Sequence, residues 1–274
     1  MMPTLKSIAL PTHVTLPYVE QGDPAGVPVI LLHGVTDSWR SFERVLPYLP
    51  PSLRVFALSQ RGHGDADRPL TGYSFHDFAA DVAAFVDTLD LGPVIVVGHS
   101  MGSGVAQRFA LSYPDHLLGL VLVGSFATLH TNPAVREFWD SAVSRLVDPI
   151  DPRFVREFQQ STLAQPVPAE FFETVVQESL KVPARVWKST FATFLQEEWS
   201  AELRKITAPT LIVWGDQDAF CPRSDQDLLV AAIADSRLLV YPGAGHDPHW
   251  EEPARFAADL AAFSQSKVNR RRDN

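Results

Sequence analysis

Three residue types that together perform nucleophilic catalysis follow short apolar runs of this sequence. Ser100 lies in the segment G-H-S-M-G over 98–102, directly after the run 94–97. Two carboxylates, Asp216 and Asp218, follow the run 210–214, and His246 follows the run 237–241. A serine hydroxyl is a weak nucleophile that needs a base, and the base needs an orienting carboxylate. The order serine, aspartate, histidine therefore predicts an acyl-transfer site.

The pattern G-x-S-x-G has a physical basis when it joins a buried strand to a helix. A sharp turn at this junction strains the serine backbone, requires small neighbours and leaves the hydroxyl clear of the sheet edge. The free N–H groups at the start of the following helix can stabilise a developing oxyanion. The spacing predicts that Ser100 occupies such a turn, with an amphipathic helix after it.

The elements that must position these residues alternate between strands and helices. The predicted strands are short apolar runs without alternation, which is typical of strands buried on both faces of a parallel sheet. They cover residues 29–32, 54–58, 94–97, 119–123, 210–214 and 237–241. Apolar residues at helical spacing lie between the runs, which indicates βαβ units. The first twenty residues, with Pro11 and Pro17 in strand-like runs, predict an antiparallel edge.

The alternation is interrupted once, between Phe126 and Trp199. This stretch shows no convincing strand, and prolines divide it into helix-like segments, so we predict a helical insertion. It holds eight of the 17 phenylalanines and three of the six tryptophans. Because the insertion falls between Ser100 and Asp218 in the sequence, we expect part of it to face the serine and to form a largely hydrophobic pocket. The candidate pocket residues are Trp39, Phe126 and Trp187.

The sequence resembles the α/β-hydrolase fold enzymes that carry a helical cap. The resemblance covers residues 14–263 and rests on five segments. They are His33-Gly34, Arg61-Gly62-His63-Gly64, the serine turn at 98–102, Gly215-Asp216-Gln217-Asp218 with Pro222, and Gly245-His246 with Glu251-x-Pro253. It implies an α/β fold with a mostly parallel central sheet flanked by helices and a cap inserted after the sixth strand. The core domain would comprise residues 1–125 and 200–274, and the cap residues 126–199.

The same resemblance assigns roles at the expected site. It favours Asp218 over Asp216 as the acid that orients His246, and Asp216 would then brace its turn. The backbone N–H groups of Val35 and Met101 would form the oxyanion hole. The implied activity is a cofactor-free serine hydrolase, a carboxylesterase that cleaves small, largely hydrophobic esters through an acyl-enzyme.

Several related activities remain open. Haloalkane dehalogenases and epoxide hydrolases use an aspartate nucleophile, so Ser100 argues against both. Carbon–carbon bond hydrolases keep the serine, but a tryptophan typically follows their histidine where this chain has Asp247. Perhydrolases often carry Ser-Met at the turn, as in Ser100-Met101. A lactonase, or a receptor that hydrolyses its lactone-like ligand slowly, would use the same residues.

The other histidines and the single cysteine favour structural roles. We expect His33 and His63 to shape their loops through hydrogen bonds. His249 makes an H-x-x-H pair with His246, but Pro248 interrupts the helix that a zinc site of this kind requires, so we predict no metal and place His249 at the rim of the pocket or within it. Cys221 lies on no nucleophile turn, and no nucleotide-binding fingerprint is present. The sequence thus predicts no cofactor.

Composition restricts the partners. The formal net charge is -9, which opposes binding to a polyanion, so we expect neither nucleic acid nor an anionic membrane as partner. The lone cysteine, an N-terminus without signal-peptide features and the lack of an 18-residue apolar run predict a cytoplasmic protein. We expect a monomer or homodimer that binds a small-molecule ester, with a frayed tail over 267–274.

Overall fold

An eight-stranded sheet forms the centre of the fold. The computed structural model describes the backbone of residues 4–272 and the side chains of residues 4–266. The strands are β1 Thr4–Ala9, β2 Thr15–Gln21, β3 Val27–Leu32, β4 Leu53–Leu58, β5 Val94–His99, β6 Leu117–Val123, β7 Thr210–Gly215 and β8 Ser236–Tyr241. The six predicted strands are all present, with ends that differ from the prediction by at most two residues.

The strand order is β1-β2-β4-β3-β5-β6-β7-β8. Strands β3 to β8 run parallel, whereas β1 and β2 are antiparallel to their neighbours, which confirms the predicted antiparallel edge. Because all six parallel strands point the same way, the loops that follow them meet at one edge of the sheet. The segments after β3, β5, β7 and β8 carry the predicted site residues to that edge.

The core lies on both faces of the sheet. Alternate residues of one strand, such as Ile30 and Val29, belong to two different clusters of buried side chains. This explains why the strands are apolar without alternation, because neither face meets water.

Helices cover the sheet, and their starts are encoded locally. The helices outside the insertion are α1 Phe75–Thr88, α2 Met101–Ser112, α7 Arg223–Ala232, α8 Pro248–Glu251 and α9 Pro253–Arg272. Ser74 and Asp77 form a reciprocal capping box at the start of α1. The α9 backbone is helical through Arg272, where the sequence predicts a frayed tail over 267–274, and residues 273–274 lie outside the described residues.

Four helices separate β6 from β7, namely α3 Pro133–Ser141, α4 Pro152–Ser161, α5 Ala169–Leu180 and α6 Ala184–Gln196. A proline stands at the first residue of α3 and α4, where its missing N–H costs no hydrogen bond. The prolines that divide the sequence here thus mark helix starts. We refer to residues 126–199 as the cap; its status as a separate domain stays a prediction.

Within residues 4–272, no helix is both long and apolar enough to cross a membrane.

Candidate active site

Ser100 occupies a strained turn between β5 and α2. Its backbone has φ 49° and ψ -116°, a conformation that L-residues rarely adopt. A Cβ atom on Gly98 would lie 2.1 Å from the carbonyl oxygen of Gly102, and one on Gly102 would lie 2.3 Å from the carbonyl oxygen of Leu32. The two glycines of the motif are therefore required by close backbone contacts. Ser100 itself stays partly exposed and faces a cavity.

His246 and Asp218 meet through a hydrogen bond. Nδ1 of His246 donates to Oδ2 of Asp218 over 2.9 Å, and both side chains are buried. The other oxygen of Asp218 accepts the N–H groups of Phe220 and Cys221 at 2.8 and 2.9 Å. With Nδ1 protonated, Nε2 of His246 is the acceptor nitrogen. The structure thus joins two residues that are 28 positions apart in the sequence.

The surroundings of His246 stabilise the protonated form of its imidazole. Burial lowers the pKa of His246, but the charge of Asp218 and its hydrogen bond raise it more, so that the pKa lies well above 6.5. Asp216, by contrast, is exposed and accepts the N–H of Gly243 over 2.7 Å. It braces the two neighbouring loops, as the sequence predicts, and does not contact His246 in this way.

Val35 and Met101, whose N–H groups form the predicted oxyanion hole, belong to the two segments that follow β3 and β5. Met101 is the first residue of α2, so its N–H has no partner within the helix. Val35 lines the same cavity as Ser100. The neighbouring His33 is fully buried, and its Nε2 accepts the N–H of Gln60 over 3.0 Å. The expected structural role of His33 is confirmed.

A second strained residue holds the loop after β3, and it was missed from the sequence. Thr36 has φ 70°, which is unusual for a β-branched residue. Nε2 of Gln159 in α4 donates to Oγ1 of Thr36 over 3.2 Å and to Oδ1 of Asp37 over 3.1 Å. The hydroxyl of Ser179 in α5 lies 3.1 Å from Oγ1 of Thr36. The cap therefore fixes the loop that carries Val35.

The cavity above Ser100 has a volume of about 140 Å³ and is largely apolar. A cavity of roughly 150 Å³ is large enough for benzene, so the site suits a small group. Six phenylalanines line it, five from the cap and one from the loop after β7. They are Phe126, Phe138, Phe158, Phe191, Phe194 and Phe220.

Of the three predicted pocket residues, only Phe126 lines this cavity. Trp187 is fully buried behind it, with its ring 5.1 Å from that of Phe158 and 6.2 Å from that of Phe191. Trp39 lies in a separate surface groove beside Pro51, under the guanidinium of Arg40. The structure therefore does not place Trp39 or Trp187 in the lining of the cavity above Ser100, contrary to the prediction.

Buried polar residues beneath His246 form a cluster that the sequence did not reveal. His99, Asp247 and His249 offer ligand atoms within 4.8 Å of one another. Nε2 of His99 lies 3.1 Å from Oδ1 of Asp247 but donates to the carbonyl oxygen of His246, also over 3.1 Å. Nε2 of His249 is hydrogen-bonded to Ser41 over 3.1 Å. His249 is fully buried and does not line the cavity above Ser100, so its predicted place at the rim or in the pocket is wrong.

Two carboxyl groups, one within this cluster and one beside it, have raised pKa values. Burial raises the pKa of Asp247 to about 7, while the charge of His246 partly opposes that shift. Burial and the charge of Asp247 raise the pKa of Asp37 well above its usual range. Both residues contribute to the cavity wall. The charge of His246 opposes the rise in pKa at both carboxyl groups, so both are electrostatically coupled to the candidate base.

Cys221 also lies beside the histidine. Asp218, Cys221 and His246 bring ligand atoms within 4.8 Å, as a metal site would require. Burial raises the pKa of the Cys221 thiol to about 12, so the thiol stays protonated at neutral pH. Both oxygens of Asp218 already accept hydrogen bonds. This donor set suits an oriented histidine better than a metal ion.

Comparison with known proteins identifies the family. The family described as alpha/beta hydrolase fold matches residues 27–253. The chain is 29% identical over 269 residues to a non-heme chloroperoxidase from Streptomyces lividans, covering 91% of this chain and 95% of that one. The chain therefore belongs to the α/β-hydrolase fold family, and it is a hydrolase of that family.

Two solved structures have the fold of this chain and are each 26% identical to it in sequence. The esterase RhEst1 from Rhodococcus sp. ECU1013 has a TM-score of 0.84 and 26% identity, with 96% of this chain and 98% of that chain covered. A bromoperoxidase from Bacillus anthracis has a TM-score of 0.85 and 26% identity, with 96% and 100% covered. The match confirms the α/β-hydrolase fold predicted from the sequence.

Proposed function

We propose that this protein is a serine carboxylic ester hydrolase with Ser100 as nucleophile. The observation that carries the proposal is the His246–Asp218 hydrogen bond of 2.9 Å, with His246 lining the same cavity as Ser100 on its strained turn. This combination supplies a nucleophile, a base and an orienting acid at one small apolar site.

In the proposed mechanism, Oγ of Ser100 attacks the ester carbonyl carbon while Nε2 of His246 takes the hydroxyl proton. Asp218 stabilises the resulting imidazolium and keeps Nδ1 protonated. The N–H groups of Val35 and Met101 stabilise the tetrahedral oxyanion. The C–O bond breaks as His246 returns the proton to the leaving alcohol. A water molecule, activated by His246, then hydrolyses the acyl-enzyme by the same steps.

The experiment compares hydrolysis of p-nitrophenyl acetate and butyrate by the wild type and Ser100→Ala. We expect Ser100→Ala to lose at least about a thousandfold in kcat, because the covalent route is removed. A fluorophosphonate probe should label the wild type once, at Ser100, and leave the variant unlabelled. Equal turnover by the two proteins would refute the proposal.

A second candidate function is perhydrolysis, in which hydrogen peroxide replaces water as the acceptor of the acyl group. The reaction forms a peracid and restores the Ser100 hydroxyl, so no redox cofactor takes part. The relatives named chloroperoxidase and bromoperoxidase, together with Met101 after Ser100, favour this candidate. Peroxide-dependent bromination of monochlorodimedone in acetate buffer, lost in Ser100→Ala, would support it.

A further inference from the structure

The cap meets the loop that carries His246 through direct backbone contacts. We call residues 162–165, which follow α4, the cap segment, and residues 242–247, between β8 and α8, the histidine loop. The N–H of His246 donates to the carbonyl oxygen of Thr162 over 2.9 Å. Nε2 of Gln165 donates to the carbonyl oxygen of Gly243, also over 2.9 Å. The cap segment thus supports the candidate base from above.

One carboxylate joins the two segments. Oε1 of Glu251 accepts the N–H of Ala164 over 2.9 Å, and Oε2 accepts the N–H of Gly245 over 3.0 Å. Glu251 is the last residue of α8 and is partly buried. Hydrogen bonds from backbone N–H groups to an ionised carboxylate are among the stronger ones in proteins. Glu251 therefore links the cap segment to the histidine loop through both of its oxygens.

The approach of the two backbones leaves no room for a side chain between them. A Cβ atom on Gly245 would lie 2.6 Å from the nitrogen of Ala164 and 2.7 Å from the carbonyl oxygen of Thr162. This observation is independent of the Glu251 hydrogen bonds. It indicates that the position of the histidine loop depends on the position of the cap segment, since neither can shift towards the other without displacing it.

We propose that Glu251 is a positioning residue that couples the cap to His246. It holds the cap segment against the histidine loop, so that Nε2 of His246 stands where the proton transfer with Ser100 requires it. The main chain of His246 lies between two fixed partners, the carbonyl oxygen of Thr162 and Nε2 of His99. Loss of the Glu251 link would free one side of this loop. The inference rests on the proposed ester hydrolysis.

The experiment compares Glu251→Gln and Glu251→Ala with the matched control Glu252→Gln. Glu252 is the next residue along the chain, and its carboxylate lies 3.3 Å from Arg255. Displacement of a catalytic group by about 1 Å costs on the order of a hundredfold in rate. We expect kcat to fall about 10- to 100-fold in Glu251→Ala and less in Glu251→Gln, whose amide oxygen can replace one acceptor. KM should change by less than about threefold in both, because the six phenylalanine rings that line the cavity are unaltered.

A spectroscopic measurement separates positioning from a loss of folded protein. The proton on Nδ1 of His246 should give a downfield resonance in the wild type, and Asp218→Asn identifies it by its shift. We expect this resonance to broaden or shift in Glu251→Gln and to remain unchanged in Glu252→Gln. Rates are divided by the folded fraction found from urea unfolding, so a purely structural effect leaves kcat unchanged.

Two results would overturn the inference. One is wild-type kcat in Glu251→Gln with an unchanged His246 resonance. The other is a loss of activity that disappears after correction for the folded fraction. If Ser100→Ala keeps its ester activity, the proposed function fails instead, while the resonance still reports whether Glu251 positions His246. The two failures are therefore distinguishable.

Discussion

The base of the cavity and its cap wall are built in different ways. At the base, backbone atoms approach so closely that glycine is required at 98 and 102, and one hydrogen bond orients His246. The cap wall consists mainly of phenylalanine rings that contact one another at centroid distances of 5.1 to 6.4 Å. Aromatic packing tolerates changes of shape that a backbone contact does not. We infer that the base determines the chemistry and the wall the choice of substrate.

The largest expected effect is at the base. In Asp218→Asn, Nδ1 of His246 loses its carboxylate partner, and the imidazole can adopt the wrong tautomer. A loss of roughly 10⁴ in kcat is typical of this change in a serine triad. Asp216→Asn is the matched control, since Asp216 is exposed and braces Gly243; its kcat should stay within about threefold. Similar losses in both variants would contradict the assignment of Asp218.

A comparison of the wild type with Asp218→Asn also tests how the rate of hydrolysis depends on pH. His246 must be neutral to act as the general base. The kcat/KM of the wild type should therefore rise with pH through the pKa of His246, which Asp218 raises well above 6.5. Removing the carboxylate charge lowers this pKa, and the residual activity of Asp218→Asn should rise at lower pH than that of the wild type. A pH profile of p-nitrophenyl butyrate hydrolysis measures the shift.

Sequence reasoning succeeded at the base because its signals are local. The strand ends and the turn at Ser100 follow from short motifs next to apolar runs, whereas the preference for Asp218 over Asp216 rests on the resemblance to the α/β-hydrolase fold enzymes. It failed for Trp39 because the direction of that side chain depends on how the loop after Val35 turns. Contacts such as Gln159 with Thr36 span 123 residues, and no pattern in a single sequence reports them. The cap wall is hard to predict for the same reason.

A smaller effect, on stability, is expected from Asp247→Asn. Burial raises the pKa of Asp247 to about 7 from an ordinary value of 3.8, so the folded protein holds a proton that the unfolded chain releases between these values. The resulting stability is present below pH 4 and lost as the pH rises towards 7. Asparagine removes this titration. We therefore compare the difference in unfolding free energy between Asp247→Asn and the wild type at the two pH values. This difference should be about 2–4 kcal/mol more favourable to the variant at pH 8 than at pH 4.

Urea unfolding of both proteins at pH 4 and pH 8 measures this change. Asp37, whose pKa burial also raises, is present in both proteins and contributes in the same direction to each. Because the charge of Asp247 raises the pKa of Asp37, the comparison of the two measures the titration of Asp247 together with its effect on Asp37. A difference in unfolding free energy between variant and wild type that does not change with pH would show that Asp247 has the same pKa in the folded and the unfolded protein.

The smallest of these effects concerns the cap wall. The Phe138 ring is only partly buried and stacks on Phe158 with an interplanar angle of 9°, so Phe138→Ala enlarges the cavity without emptying the core. Each buried methylene contributes about 0.8 kcal/mol, so two extra carbons should bind about tenfold better in the enlarged site. The ratio of kcat/KM for the hexanoate to that for the butyrate ester should rise by this factor, whereas kcat on butyrate should change little.

Phe172→Ala is the matched control, because Phe172 lies in the cap under Arg156 and outside the cavity lining. If Phe138→Ala instead lowers kcat as much as a change at the base does, the wall takes part in the chemistry and the contrast between the two regions fails.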